Sequence, residues 1–308
     1  MNYLENIKFP VNIDVFANQI VEGFITGMHK SPYHGFSVEF SEHRLYNKGE
    51  STKNIDWKLY GRTDKLFVKR YEEETNLRCQ LIIDSSSSMY YPNFNKPNFH
   101  QPNKLFFSAY ASAVLMNLLK RQRDAIGLSI VSDNLEFHTP SRTTRRHHQL
   151  LYHQLEELLK IDAVKDIKKT HSTHAIHEIS EILHRRSMVM IFTDMISNTE
   201  DLEKQFEAFK HLKYNKHEVV LFYLNEPITE MNLDFDGNSY NFIDVETGEE
   251  LRLNPENYKK EYQQKMEKYM KELRLKCLQY KIDLVEVDIN EGFDKILTGY
   301  LLKRQKMF

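Results

Sequence analysis

From about residue 80 onward this chain alternates short apolar runs with stretches of helical length, and few folds accept that pattern. Residues 79–83 (CQLII) form an apolar run ending in Asp84. Residues 104–120 have helical length and apolar spacing, and residues 125–131 (AIGLSIV) read as a second strand. Residues 135–138 pair back on it through the Asp133-Asn134 turn. Amphipathic helices are expected at 149–159 and 175–184, a buried strand at 187–192 (SMVMIF), a helix at 200–212 and a strand at 218–224. A long helix at 258–280, an alternating strand at 282–289 and a helix at 293–303 close the chain. Such alternation specifies the α/β class, with a Rossmann-like, mostly parallel sheet flanked by helices.

Two segments break the pattern. Residues 226–254 contain strand-like stretches at 240–245 and 249–253 around Gly248, which read as an inserted β-hairpin. Residues 1–78 hold a helix near 15–28 and short segments of β character at 36–40 and 66–71. The expected division is a small N-terminal β-containing subdomain over 1–78 and an α/β domain over 79–308.

Composition narrows the function classes. A formal net charge of −2 gives no global electrostatic reason to expect nucleic acid or an anionic membrane as partner. The basic run of Arg142, Arg145, Arg146, His147 and His148 reads as a solvated loop entering a helix. Cys79 and Cys277 sit in apolar contexts and read as buried free thiols. Residues 1–10 lack the apolar core of a signal peptide, and no stretch approaches the roughly 20 apolar residues needed to span a bilayer. The expected compartment is the cytoplasm.

The sharpest local feature is the segment 81–89, LIIDSSSSM. In an open α/β sheet, ligands bind outside the carboxyl ends of the strands, and Asp84 falls at such an end. Ser86 and Ser88 follow at alternating positions, so one loop can turn a carboxylate and two hydroxyls toward one point. Asp194 ends a second strand in an equivalent place, and Thr173, with Thr170 as its rival, lies in the loop before the preceding helix. Two carboxylates and three hydroxyls are hard oxygen donors suited to Mg²⁺, Mn²⁺ or Ca²⁺ rather than zinc. They leave a coordination position that a carboxylate from another protein could fill. The competing reading of the serine run alone is a helix cap, because serine side chains accept hydrogen bonds from free N–H groups.

The set Asp84, Ser86, Ser88, Thr173 and Asp194 resembles the metal-ion-dependent adhesion site of von Willebrand A domains: Asp-x-Ser-x-Ser, a later Thr, and an Asp after the fourth strand. The family's usual Gly-Gly-Thr is His171-Ser172-Thr173 here, which removes backbone freedom from that loop. Residues 35–74 add a second match. Gly35, Glu39, Phe40, Arg44, Tyr46, Gly49, the Ile55-Asp56-Trp57 run, Arg62, Leu66, Val68, Lys69 and Tyr71-Glu72 resemble the signature of the domain of unknown function 58 family. Glu50, Lys53 and Gly61 depart from it. Asp56, Arg44, Arg62 and Lys69 read as a charged scaffold network anchored by Trp57. The resemblance, over residues 15–225, implies a von Willebrand A-like domain and a non-enzymatic, metal-dependent protein-binding module. It further implies an adaptor or assembly factor working with a MoxR-type AAA+ ATPase.

The enzymatic alternative is a metal-dependent phosphohydrolase of haloacid-dehalogenase-like type using Asp84. That chemistry wants a second Asp two residues later as general acid, where this chain has Ser86. No P-loop and no Gly-x-Ser-x-Gly elbow occurs. His171, His174 and His177, like His147, His148 and His153, read as partly exposed helix residues rather than a zinc site.

Overall fold

The computed structural model describes residues 12–29, 43–45, 57–63, 66–69, 77–160, 172–195, 199–237, 239–244 and 248–307. The chain opens on α1 (Ile13–His29), followed by β1 (His43–Leu45), α2 (Trp57–Thr63) and β2 (Phe67–Lys69). β3 (Arg78–Asp84) then begins the alternating region: α3 (Lys104–Arg121), β4 (Ala125–Val131), β5 (Leu135–His138), α4 (Arg145–Leu158) and α5 (Ser172–Ile182). β6 (Met188–Thr193), α6 (Thr199–Tyr214) and β7 (Glu218–Asn225) continue it. A hairpin of β8 (Tyr240–Ile243) and β9 (Glu250–Leu253) precedes α7 (Pro255–Gln279), β10 (Asp283–Asp288) and α8 (Asp294–Met307).

Six strands form one sheet in the order β10-β7-β6-β3-β4-β5. All neighbours are parallel except β5, which runs antiparallel on the β4 edge. This is the α/β class expected from the alternation. β4 and β6 are buried at every position, and β3 at every position after Arg78. Such strands are continuous apolar runs because helices cover both faces. α3 is buried nearly all round, and its first turn is capped by Asn103, whose side chain accepts from the Phe106 N–H at 2.7 Å. Thr144 caps α4 in the same way, and Asn254 caps α7 ahead of Pro255. Each such cap satisfies an N–H that would otherwise be orphaned, worth about 1 kcal/mol.

Phe206, Phe209, Leu221, Tyr223 and Leu273 pack into one buried cluster with the inner faces of α5 and α6. A second cluster joins Phe16 of α1 to Phe99 (4.7 Å, stacked), Tyr110 and Phe293. By contacts, Met1–Phe24 group with Leu77–Phe308, and Ile25–Asn76 form a separate unit containing an antiparallel β1–β2 pair. The segment expected at 36–40 and Asp56 lie outside the described residues, as do the side chains of Arg44, Trp57 and Lys69, while Arg62 is exposed. The hairpin expected within 226–254 is present, with Tyr240 opposite Leu253.

Two details differ from the sequence reading. α4 begins at Arg145, so the basic run forms its first turn, and His147 and His148 are buried at 7% and 5% exposure. His147 Nε2 lies 2.8 Å from the Ile126 carbonyl of β4, which holds that turn on the sheet. Their polarity suggested solvent; the Thr144 cap and β4 override it. The other difference is a π-helical turn, Pro227–Met231, between β7 and the hairpin.

The helix ends share a feature. After α3, α6 and α7 the chain makes paired 5→2 and 6→1 backbone bonds, with Arg123, Lys216 and Lys281 in the left-handed position. Glycine usually fills that slot, so a basic side chain there is a departure.

Candidate functional site

The site grows from two neighbouring strands. β3 and β6 run parallel with Ile83 opposite Phe192, so Asp84 and Thr193 leave the sheet side by side. Thr193 Oγ1 donates to Asp84 Oδ2 at 2.7 Å, and the Ser86 N–H donates to Asp84 Oδ1 at 3.0 Å. The second bond is an Asx turn, which sets the direction of the serine loop. Ser85 pins that loop to the next strand: its N–H and Oγ both donate to the Val131 carbonyl, at 2.7 and 3.0 Å.

Ser86 Oγ lies 3.2 Å from Ser88 Oγ, and Ser88 Oγ donates to Asp194 Oδ1 at 3.2 Å. Asp84, Ser86, Ser88 and Asp194 are thereby brought together, with Asp84 and Asp194 1% and 0% exposed. The Thr173 side chain and Thr170 lie outside the described residues. The capping reading of the serines has a direct answer. Ser86 precedes a 3₁₀ turn, Ser87–Tyr90, without making a side-chain cap bond, and α3 is capped by Asn103.

Three further residues belong to the site and escape sequence reasoning. Thr193 is one. Lys104, the first residue of α3, is fully buried and donates from Nζ to Asp194 Oδ2 at 2.9 Å. It also pairs with Glu230 of the π-helical turn. Glu230 is held in turn: its Oε2 accepts from the Glu226 N–H at 3.0 Å, and its carbonyl accepts from the Tyr262 hydroxyl at 2.7 Å. Tyr91 and Thr229 hydrogen-bond beside it.

The charge balance is uneven. Burial, and then repulsion from Asp194, push the Asp84 carboxyl up to about 6. Burial pulls the Lys104 ammonium down, but Asp194 and Glu230 outweigh it and raise its pKa. Burial also raises Glu230, with Asp194 adding and Lys104 opposing. When ionised, Asp194 and Glu230 share the single Lys104 ammonium and Asp84 adds a further carboxylate near Asp194, so the cluster carries an excess of negative charge that suits a cation.

The donor set fits such an ion. Two neighbouring ligands on octahedral Mg²⁺, at about 2.1 Å each, lie about 3 Å apart. The Ser86–Ser88 and Ser88–Asp194 oxygens are spaced at 3.2 Å. Among the described residues no group of three or more His, Cys, Asp or Glu is placed to hold a metal, so a site here depends on the hydroxyls. His174 is exposed, and His177 faces His211 with Nδ1 atoms 3.2 Å apart on α5 and α6. Among the described residues no helix is long and apolar enough to cross a membrane.

The family model described as "Protein of unknown function DUF58" matches residues 42–272. An uncharacterised protein of Mycobacterium tuberculosis is 24% identical over 135 residues, 44% of this chain, and another from Mycobacterium bovis gives the same figures. The match spans 41% of each relative's length. Among solved structures, BatB from Bacteroides thetaiotaomicron is 14% identical with a TM-score of 0.46, covering 75% of this chain and all of that one. The SpRpn10 VWA domain is 11% identical with a TM-score of 0.38, covering 72% and 94% of the two chains.

Proposed function

The chain belongs to the DUF58 family, and we propose that its loop 84–88, with Asp194, holds a divalent cation and grips a carboxylate of a partner protein through it. The observation that carries this reading is the run of oxygens from the buried Ser86 through the half-buried Ser88 to the buried Asp194, spaced as neighbouring ligands at the carboxyl ends of two central strands. Mg²⁺ is the favoured ion, with Mn²⁺ and Ca²⁺ as alternatives, and Thr173, which falls in the first turn of α5 rather than in the expected loop, or Thr170 would add a further hydroxyl. Bound there, the ion would supply an electrophilic centre with a position open to an outside carboxylate.

The chain's own residues prepare the place. Thr193 Oγ1 and the Ser86 N–H orient the Asp84 carboxylate. Lys104 takes Asp194 Oδ2, leaving Oδ1 turned toward Ser88. The same geometry suits Asp84 poorly to nucleophilic attack, since both its oxygens already accept hydrogen bonds and Ser86 stands where a general acid would. Binding without catalysis is therefore the reading we favour. By family resemblance the partner is a MoxR-type AAA+ ATPase, and this chain is its cytoplasmic adaptor or assembly factor.

Calorimetric titration with Mg²⁺ and Mn²⁺ tests the metal. Binding is expected for the native chain and is lost in Asp84→Ala; absence of heat at millimolar metal ends the proposal. Capture of the ATPase should need both Asp84 and the ion. Capture that survives Asp84→Ala and chelator would show that the grip is elsewhere. Hydrolysis of an aryl phosphate, lost in the same variant, would favour the enzymatic alternative.

A further inference from the structure

At the opposite edge of the sheet, where the helices end and the strands begin, an open cleft of about 700 Å³ is lined by six cations and two carboxylates. Its floor is an alternating network. Lys303, with a side chain 9% exposed, bridges Glu218 Oε2 at 2.7 Å and Asp283 Oδ2 at 2.6 Å. Lys213 joins Glu218 at 3.0 Å and Lys306 joins Asp283 at 3.3 Å. The two carboxylates are thus already used by three lysines. Arg186, Lys216 and Lys281 are the remaining charged residues of the lining, exposed and without a side-chain partner among the described residues.

These three sit in the turns that follow α5, α6 and α7, each with positive φ: 62°, 61° and 56°. The bland account is that cations suit the negative ends of helices. It explains a basic residue in the last turn, but not a long cationic side chain in the left-handed slot, where glycine or asparagine is favoured. Lys216 and Lys281 occupy that slot, as Arg123 does elsewhere, and Arg186 has its positive φ in the turn between α5 and β6; these three converge on one cleft.

The cleft carries a net positive charge. Six cations against two carboxylates give a formal excess of four positive charges. The ends of α6, α7 and α8 oppose this with roughly half a negative charge each, about −1.5 in all. The cleft stays positive, which suits a phosphate monoester, carrying about −1.5 to −2 at pH 7. Leu278, 76% exposed, and Met307 give the same cleft an apolar wall. Its volume is within the roughly 300–1,000 Å³ of small-molecule sites.

We propose that this cleft binds a phosphate monoester attached to an apolar or aromatic body, with Arg186, Lys216 and Lys281 as the phosphate-binding side chains. The ester can be a free small molecule or a lipid headgroup, and the test separates them. Adenosine monophosphate, inorganic phosphate and adenosine are titrated calorimetrically against the whole chain at low and high salt. Binding to vesicles of phosphatidylcholine with and without phosphatidate is measured alongside.

The expected result is that adenosine monophosphate binds, adenosine does not, and affinity falls with salt. The variant Arg186→Asn/Lys216→Asn/Lys281→Asn keeps residues that tolerate positive φ, so it folds at least as well while losing three charges. Its affinity should drop by at least about tenfold, as for loss of charge-assisted hydrogen bonds. Phosphatidate-dependent vesicle binding, lost in that variant without binding of the free nucleotide, would support the same site with a lipid as its source. The proposal is overturned if neither source binds at low salt, if adenosine binds as well as its monophosphate, or if the folded variant binds unchanged.

Discussion

Replacing Lys104 by methionine keeps the side chain's length and removes its charge. In the native structure the Lys104 and Asp194 side chains are 0% and 1% exposed, and Glu230 is 9% exposed. Removing the ammonium strands two carboxylates that water reaches poorly. Breaking a buried pair from one side costs about 3–5 kcal/mol, because the remaining charge is left uncompensated. At about 2–4 °C per kcal/mol for a domain of this size, Tm should fall by roughly 6–20 °C. Differential scanning calorimetry and urea unfolding read this directly. A second arm isolates the charge: Glu230→Gln added to Lys104→Met should restore part of the loss. A third arm uses the ion. With no internal cation against Asp194, millimolar Mg²⁺ should stabilise the variant more than the native chain, whereas NaCl of equal ionic strength should not. A loss under about 1 kcal/mol would mean that the pair is worth no more than an exposed one, which contradicts its burial. An identical Mg²⁺ response in both chains would refute the charge balance drawn at the site.

Two further predictions follow from the body of the fold. A Cβ at Gly127 would lie 2.1 Å from Gln80 Oε1 and 2.7 Å from the Thr139 carbonyl. Gly127→Ala should therefore cost about 1–3 kcal/mol through overpacking, measured by urea unfolding. His147, His148 and His217 are held below the ordinary histidine value of 6.5, with burial the largest cause in each. Because folding lowers their pKa, the unfolded chain binds more protons. Their contribution is present above pH 6.5 and lost as pH falls through the folded values. Tm should drop on acidification from pH 7 to 5, and less steeply in His217→Gln; an unchanged slope would exclude His217 from the effect.

The four central strands, β3, β4, β6 and β7, were legible because each is an apolar run closed on both faces. No polar alternation is needed to recognise residues 125–131 or 187–192 when every position is buried. Asp84 and Asp194 were legible for a related reason, as the first charges after such runs. Lys104 and Glu230 were not. A lysine opening a helix reads as a boundary residue at the surface, and only the arrival of Asp194, 90 positions later, turns it inward. Glu230 sits in a turn whose π-helical winding has no periodic signature in five residues. The start of α4 was missed because Arg145 and Arg146 look like loop, although Thr144 supplied a capping side chain. These are cases where long-range partners decide what local pattern leaves open.

The pairing of β3 with β6 has a consequence for how the molecule is made. Asp84 and Thr193 are hydrogen-bonded across 109 positions of chain, and Lys104 meets Glu230 across 126. Closing loops of that length precedes any gain from the contacts they create. A growing chain that has just produced the serine loop holds half of each bond and none of its partners. Asp84 and Lys104 acquire their neighbours only after β6 and the turn beyond β7 have been synthesised and docked. A truncated or half-folded chain therefore presents the motif's letters without its geometry. Anything that recognised the finished cluster would also select for chains in which β3, β6 and the turn after β7 have docked.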